Sequence, residues 1–233
     1  MNQSMQYALN QPMQEQQTQV TQPSEPIGAT VFVVDDDAAV RRSLTRLLRS
    51  AGWNVETFSS ASALLERAPF AGPGCILLDV QMPGMNGLEL HQCMSEAGIS
   101  LPVVFLTGNG NIPMSVQAMK HGAVDFLVKP VEQEILFQSL DQAIARHLAE
   151  TTTQHNHESI LSRLALLSQR EHEVLIQVLR GRLNKQIGAD LGIAEKTVKV
   201  HRGRVMEKMQ ANSLAELVHM CDIVGIELPP HQR

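Results

Sequence analysis

Residues 30–37 read TVFVVDDD, an apolar run closed by three consecutive aspartates. Val31, Phe32, Val33 and Val34 are β-branched or aromatic and have no alternating polar partner, which is the pattern of a strand buried on both faces of a sheet. The same punctuation recurs downstream. Cys75-Ile76-Leu77-Leu78 runs into Asp79, Val103-Val104-Phe105-Leu106 into Thr107, and Phe126-Leu127-Val128 into Lys129. In an open parallel α/β sheet the carboxyl ends of the strands share one edge, so four separate segments deliver these polar residues to a single pocket.

Between the runs the periodicity is helical. Val40, Leu44, Leu47 and Leu48 form one apolar stripe, with Arg41, Arg42, Arg46 and Arg49 mostly off it. Strands are expected at 53–58 and 124–128, and helices at 60–68, 87–97 and 112–121. A last helix starts after Pro130 and runs to about 149. Five strand–helix repeats predict a parallel sheet with helices on both faces.

Residues 1–28 hold eight glutamines and few aliphatic side chains, a composition that cannot offset its ordering entropy and predicts a disordered extension. Residues 29–150 form the first expected domain. The segment 151–163, which includes TTTQHNHE, reads as a linker, and 164–228 as a second domain.

The charge is divided along the chain. Residues 1–160 carry 8 Lys/Arg against 16 Asp/Glu, whereas 161–210 carry 10 against 5. An acidic half and a basic half point to a cation-binding part and a polyanion-binding part. Cys75, Cys93 and Cys221 are odd in number and far apart, which argues against a disulfide framework or a zinc site. With no apolar stretch long enough to span a bilayer and no apolar signal core, the expected location is the cytoplasm, away from membranes.

The polar set at the strand ends suits phosphoryl chemistry. Asp35, Asp36 and Asp37 repel one another unless a cation holds them, and magnesium takes one or two carboxylates together with water and phosphate oxygens. Asp79, alone at the end of its strand, is the expected nucleophile. Lys129 and Thr107 would hold phosphoryl oxygens. Pro130 predicts a cis peptide that aims Lys129 inward. The plainer alternative is that an Asp at such a junction only caps a helix.

VVDDD at 33–37, LLDVQMPGMNGLEL at 77–90, FLTG at 105–108 and DFLVKP at 125–130 resemble the receiver domain of two-component response regulators. The resemblance implies a doubly wound five-stranded sheet in the order 2-1-3-4-5. It also implies that Asp79 accepts a phosphoryl group from a sensor histidine kinase. Asp35, Asp36, Asp79 and the backbone carbonyl of Gln81 would surround Mg2+, with Thr107 and Phe126 as the moving switch pair. The receiver would catalyse only its own phosphorylation and dephosphorylation. Asn109 and Asn111, in the loop after Thr107, either tune dephosphorylation or start a helix.

The second domain opens on Ser168-Gln-Arg-Glu171, a capping-box signature, followed by the apolar face Val174, Leu175, Val178 and Leu179. Helices at about 185–191, 195–209 and 213–224 follow, the first two joined at Gly192, so a helix-turn-helix is expected. On the 195–209 helix, Val198, Val205 and Met209 share the buried side, with Lys196, Lys199, Val200, Gly203 and Arg204 opposite. Long donors beside a small or apolar residue suit base edges and thymine methyls.

LSQREHEVL at 167–175 and NKQIGADLGIAEKTVKVHRGRVMEKM at 184–209 resemble the LuxR-type helix-turn-helix, an all-α four-helix unit. A receiver joined to it is similar to the FixJ/NarL group, closer to FixJ. The resemblance implies base contacts from Lys199 and Val200, and phosphate contacts from Lys196, Thr197, Arg204 and Lys208. It also implies promoter DNA, a homodimer formed on phosphorylation, and RNA polymerase as a further partner. Where many relatives have Ser or Thr, Ala194 leaves the recognition helix without a side-chain cap.

Two other classes compete. A haloacid-dehalogenase-like phosphatase would use the same residue types, but its DxDx[TV] run is not completed by Asp35-Asp-Asp37-Ala38-Ala39. A DNA-binding protein with a purely structural receiver would have no need of Asp79, Thr107 and Lys129 together.

Overall fold

The structure is a computed structural model that describes residues 28–226. The expected N-terminal extension lies outside the described residues apart from Gly28. Strands β1 (Thr30–Val34), β2 (Asn54–Phe58), β3 (Gly74–Leu78), β4 (Val103–Thr107) and β5 (Asp125–Val128) form one parallel sheet in the order β2-β1-β3-β4-β5. Helices α1 (Ala38–Ser50), α2 (Ala61–Arg67), α3 (Gly87–Glu96), α4 (Ile112–Lys120) and α5 (Gln133–Ala165) follow the strands in turn.

Side-chain alternation along each strand assigns its residues to opposite faces. Val31, Val33, Cys75, Leu77, Val104 and Leu106 pack with Leu48 of α1 and Leu136, Leu140 and Ala143 of α5. Phe32, Val34, Ile76, Leu78, Val103 and Phe105 pack with Leu64, Leu90, Met94 and Ala118 of α2, α3 and α4. Because both faces of β1, β3 and β4 are covered, their residues gain nothing from being polar until the strand ends. That is why the functional groups cluster at the carboxyl edge.

The last receiver helix departs from the expectation. Instead of ending near residue 149, α5 continues unbroken to Ala165, so the 151–163 linker is helical. TTTQHNHE lacks an apolar face, yet Gln154 and Glu158 pair across one turn and the Thr152 and Thr153 hydroxyls return to Leu148 and Ala149 carbonyls. Ile160 is then buried in the core of the C-terminal unit, ahead of the boundary expected at 164.

That unit contains α6 (Gln169–Leu179), α7 (Asn184–Leu191), α8 (Glu195–Met209) and α9 (Leu214–Ile223). Its core joins Val174, Leu175, Ile187, Val198, Val205, Met209 and Leu217. The capping box at Ser168 and Glu171 is formed. Between α7 and α8 the chain reverses at Gly192, whose φ of +65° lies in the left-handed region. A Cβ on Gly188 would stand 2.8 Å from the Ile193 carbonyl, so a glycine is required for the two helices to meet this closely.

Candidate phosphoryl-acceptor site and DNA-reading helix

Three backbone bonds put the polar set in place. Val34 accepts from the Asp79 amide at 2.8 Å, Phe58 accepts from the Asp35 amide at 3.2 Å, and Thr107 accepts from the Lys129 amide at 2.8 Å. Each extends the ladder one residue past a strand, so Asp35, Asp79, Thr107 and Lys129 arrive at one edge as expected. Asp35, Asp79 and Thr107 are buried.

Lys129 reaches into this acidic pair. Its ammonium lies 2.6 Å from Asp35 Oδ2 and 3.6 Å from Asp79 Oδ1. The second distance is too long for a hydrogen bond, so Lys129 acts on Asp79 through charge. Asp79 Oδ1 is buried without a hydrogen-bond partner among the described residues. Burial pushes the Asp79 carboxyl above the usual aspartate range; Lys129 pulls it down, and Asp35 and Asp36 push it up. A buried carboxylate oxygen with no donor is costly unless an incoming group uses it.

The other acidic residues divide by role. Asp37 caps α1, accepting from the Ala39 amide at 2.6 Å, which is the plain structural reading of a junction aspartate. Asp36 is exposed beside the site. Among the described residues no three His, Cys, Asp or Glu side chains gather as a metal centre on their own. Lys129 pairs with Asp35, and Asp37 is engaged as the cap of α1.

The supporting residues were less visible in sequence. Arg41 donates to the Asp35 carbonyl at 2.5 Å. A Cβ on Gly87 would lie 2.3 Å from the Asp79 carbonyl, so the start of α3 rests directly on the backbone of Asp79. At Gly110 a Cβ would meet Phe126 and Val128 side-chain carbons at 2.9 Å. Neither glycine has positive φ, so no turn signature marked them. Thr107 accepts from the Asn109 amide at 3.4 Å, and the half-buried Phe126 lies against Phe105 with ring centroids 6.0 Å apart. Asn111 caps α4 through the Met114 amide, which decides its role as a helix start. The Lys129–Pro130 peptide is cis, as expected, and so is Ala68–Pro69.

On α8, Lys196, Thr197, Lys199, Val200, Gly203 and Arg204 are all exposed, while Val198, Val205 and Met209 are buried. Gly203 has open space where a Cβ would stand, so it is not there for packing. Ala194 makes no side-chain cap. Lys208 differs from these: its ammonium bonds Glu171 at 2.6 Å and the Leu166 carbonyl at 3.0 Å, which ties it to the junction of α5 and α6. Glu171 is buried, and the Lys208 hydrogen bond, followed by the Ser168 amide, pulls its carboxyl down to about 2. Nearby, Arg163 of α5 donates to the Met209 carbonyl at 3.2 Å, satisfying an open carbonyl at the end of α8.

Residues 31–141 match the response regulator receiver domain, and residues 165–221 match the bacterial regulatory proteins of the luxR family. Nodulation protein W of Bradyrhizobium diazoefficiens is 44% identical over 198 residues, covering 85% of this chain and 87% of that protein. This chain is a two-component response regulator with a LuxR-type DNA-binding domain. Transcriptional regulatory protein FixJ from the same organism is 41% identical, covering 84% of this chain and 96% of its own length. The solved response regulator StyR, 45% identical, superposes with a TM-score of 0.79 over 84% of this chain and 98% of its own. The response regulator thus keeps its family's two folded parts in sequence. Membership in a regulator family also sets aside the phosphatase alternative. No helix among the described residues is long and apolar enough to cross a membrane.

Proposed function

We propose that this response regulator accepts a phosphoryl group on Asp79 from a phosphohistidine of a sensor kinase. Residues 29–150 act as receiver, 151–163 as the helical connection and 164–228 as the DNA-binding domain. The observation that carries the reading is Asp79 Oδ1, a buried carboxylate oxygen without a hydrogen-bond partner among the described residues, 3.6 Å from the Lys129 ammonium. In the transfer this oxygen bonds to phosphorus, the P–N bond breaks, and the imidazole leaves with the electron pair and takes a proton.

The donor set suits a hard divalent cation. Two buried carboxylates share one ammonium, and Mg2+ needs no more than one or two carboxylates. Asp35, Asp36, Asp79 and the Gln81 carbonyl would hold it. Bound there, Mg2+ would neutralise charge on the phosphoryl oxygens. Lys129 turns from Asp35 toward the phosphoryl group. Thr107 donates its hydroxyl to a phosphoryl oxygen, and the ring of Phe126 follows.

The face carried by α4 and β5 receives that movement. Ile112 is 80% exposed, and Val116, Met119 and Val128 about half exposed, an apolar surface suited to pairing two receivers. The dimer places two α8 helices on promoter DNA, with Lys199 and Val200 toward bases and Lys196, Thr197 and Arg204 toward phosphates; Gly203 allows close approach. RNA polymerase is a further partner, and the cytoplasm the location.

The test uses acetyl phosphate with the full chain and Mg2+. Expected are one hydroxylamine- and alkali-labile phosphate on Asp79, a sedimentation shift from monomer to dimer, and tighter promoter protection, all lost in Asp79→Asn. Dimerisation and protection that persist unchanged in Asp79→Asn would overturn the reading.

A further inference from the structure

The opposite edge of the sheet holds a cleft of about 950 Å³, far from Asp79. One wall is Phe70 and the loop leading into β3; another is Cys93 of α3 with the turn through Ile99. The third is α5 at His147, Leu148 and Thr152, where the helix leaves the receiver. Among the described residues no Asp, Glu, Lys or Arg lines it. A charged or strongly anionic occupant would find no counter-charge there, and desolvating it would be costly. Volume and lining fall within the range of small-molecule sites, which are mostly apolar with few placed polar groups.

One of those polar groups is fixed. His147 is buried, and its Nδ1 accepts from the Gly74 amide at 3.1 Å. An imidazole nitrogen that accepts carries no proton, so the hydrogen sits on Nε2 and the ring offers a single donor. Leu148, 47% exposed, adds apolar surface at the rim.

We propose that this cleft binds a neutral, mainly apolar small molecule carrying one hydrogen-bond acceptor, held by His147 Nε2–H. The molecule spans the receiver and the first turn of the connecting helix. Beyond Leu148 that helix lacks an apolar face until Ile160, so a ligand on Leu148 and Thr152 adds the packing the local sequence does not provide. It is an effector site that stiffens α5, and it does not depend on the phosphorylation reading.

The neutral ketone dye 6-propionyl-2-(dimethylamino)naphthalene serves as probe for the full chain. Saturable binding with blue-shifted emission is expected, together with slower amide exchange over residues 149–158. Cys93 reports the place. Of the three thiols it alone is not buried, while burial pushes those of Cys75 and Cys221 up and keeps them unreactive. Saturating probe slows alkylation of Cys93 by N-ethylmaleimide. Thr152→Trp, at an exposed helical position on the rim, weakens probe binding by about tenfold or more, whereas Thr153→Trp, outside the cleft, leaves it unchanged. The proposal is overturned by an absence of saturable binding, by binding that leaves the Cys93 rate unaltered, or by equal behaviour of the two tryptophan variants.

Discussion

Lys129 Nζ and Asp35 Oδ2 meet at 2.6 Å although β5 and β1, which lead to them, are separated in the sheet by β3 and β4. The lysine crosses the mouth of the site above Asp79 and holds a buried carboxylate on the far side. Lys129→Met leaves Asp35 buried and unpaired, and should destabilise the receiver by about 1–3 kcal/mol. Urea titration of the variant checks this; an unchanged midpoint would show that the ion pair contributes nothing net.

Asp79 has the opposite sign. Its folded-state pKa is raised, first by burial, so the folded protein keeps the proton over a pH window in which the unfolded chain has lost it. Stability therefore falls as pH climbs from the ordinary aspartate value through the raised one, and the ionised group costs stability at neutrality. Asp79→Asn should raise the melting midpoint near neutral pH, with the gain shrinking as the pH drops into the ordinary aspartate range. Calorimetry across that range decides; a variant that melts lower than the wild type at neutrality contradicts the assignment.

Glu171 and Lys208 supply the contrasting case. The Glu171 carboxyl is pulled down to about 2 from 4.5, so its contribution is complete above the ordinary glutamate value and is lost as pH falls toward about 2. Because Lys208 is partly open to solvent, Lys208→Met should cost on the order of 1 kcal/mol. Promoter binding by Lys208→Met should keep its salt dependence, whereas Lys196→Met should lower the slope of log K against log salt by about 1. Equal slopes in the two variants would return Lys208 to the DNA contacts.

Recognition helix α8 starts at Ala194 without a side-chain acceptor for its first amides. Ala194→Ser should stabilise the C-terminal domain by about 0.5–1 kcal/mol. A thermal melt without gain would mean that the start of α8 is misplaced.

Gly87 and Gly110 separate backbone from side-chain crowding. In Gly87→Ala the new Cβ meets the Asp79 carbonyl at 2.3 Å, whereas in Gly110→Ala it meets movable carbons of Phe126 and Val128 at 2.9 Å. Gly87→Ala should be the worse, costing roughly 3 kcal/mol, with about 1 kcal/mol for Gly110→Ala. Comparable losses in denaturant unfolding would remove the distinction.

Sequence reading located the strands closely, because a strand buried on both faces must be apolar until it ends. That same rule marked Asp35, Asp79, Thr107 and Lys129. The bond from Lys208 to Glu171 was not legible, since a basic residue on a recognition helix looks the same whether it faces DNA or a buried glutamate from another helix. Gly87 and the His147 bond to Gly74 were missed because each depends on a contact between segments far apart in the chain or across a loop. The unbroken α5 was missed because local polarity spoke for a linker, while burial of Ile160 at its far end anchors the helix.

The chain's own pattern of apolar runs, glycine turns and capping residues determined the two folded parts, their element order and the residue types brought to the sheet edge. Tertiary structure alone decided which of those charges face one another: Lys129 on Asp35, Lys208 on Glu171, and Asp79 with an oxygen left open. The physical reason is range. Periodicity and capping act within a few residues, whereas the pairing of charges and the burial that shifts their pKa values depend on distances across the fold.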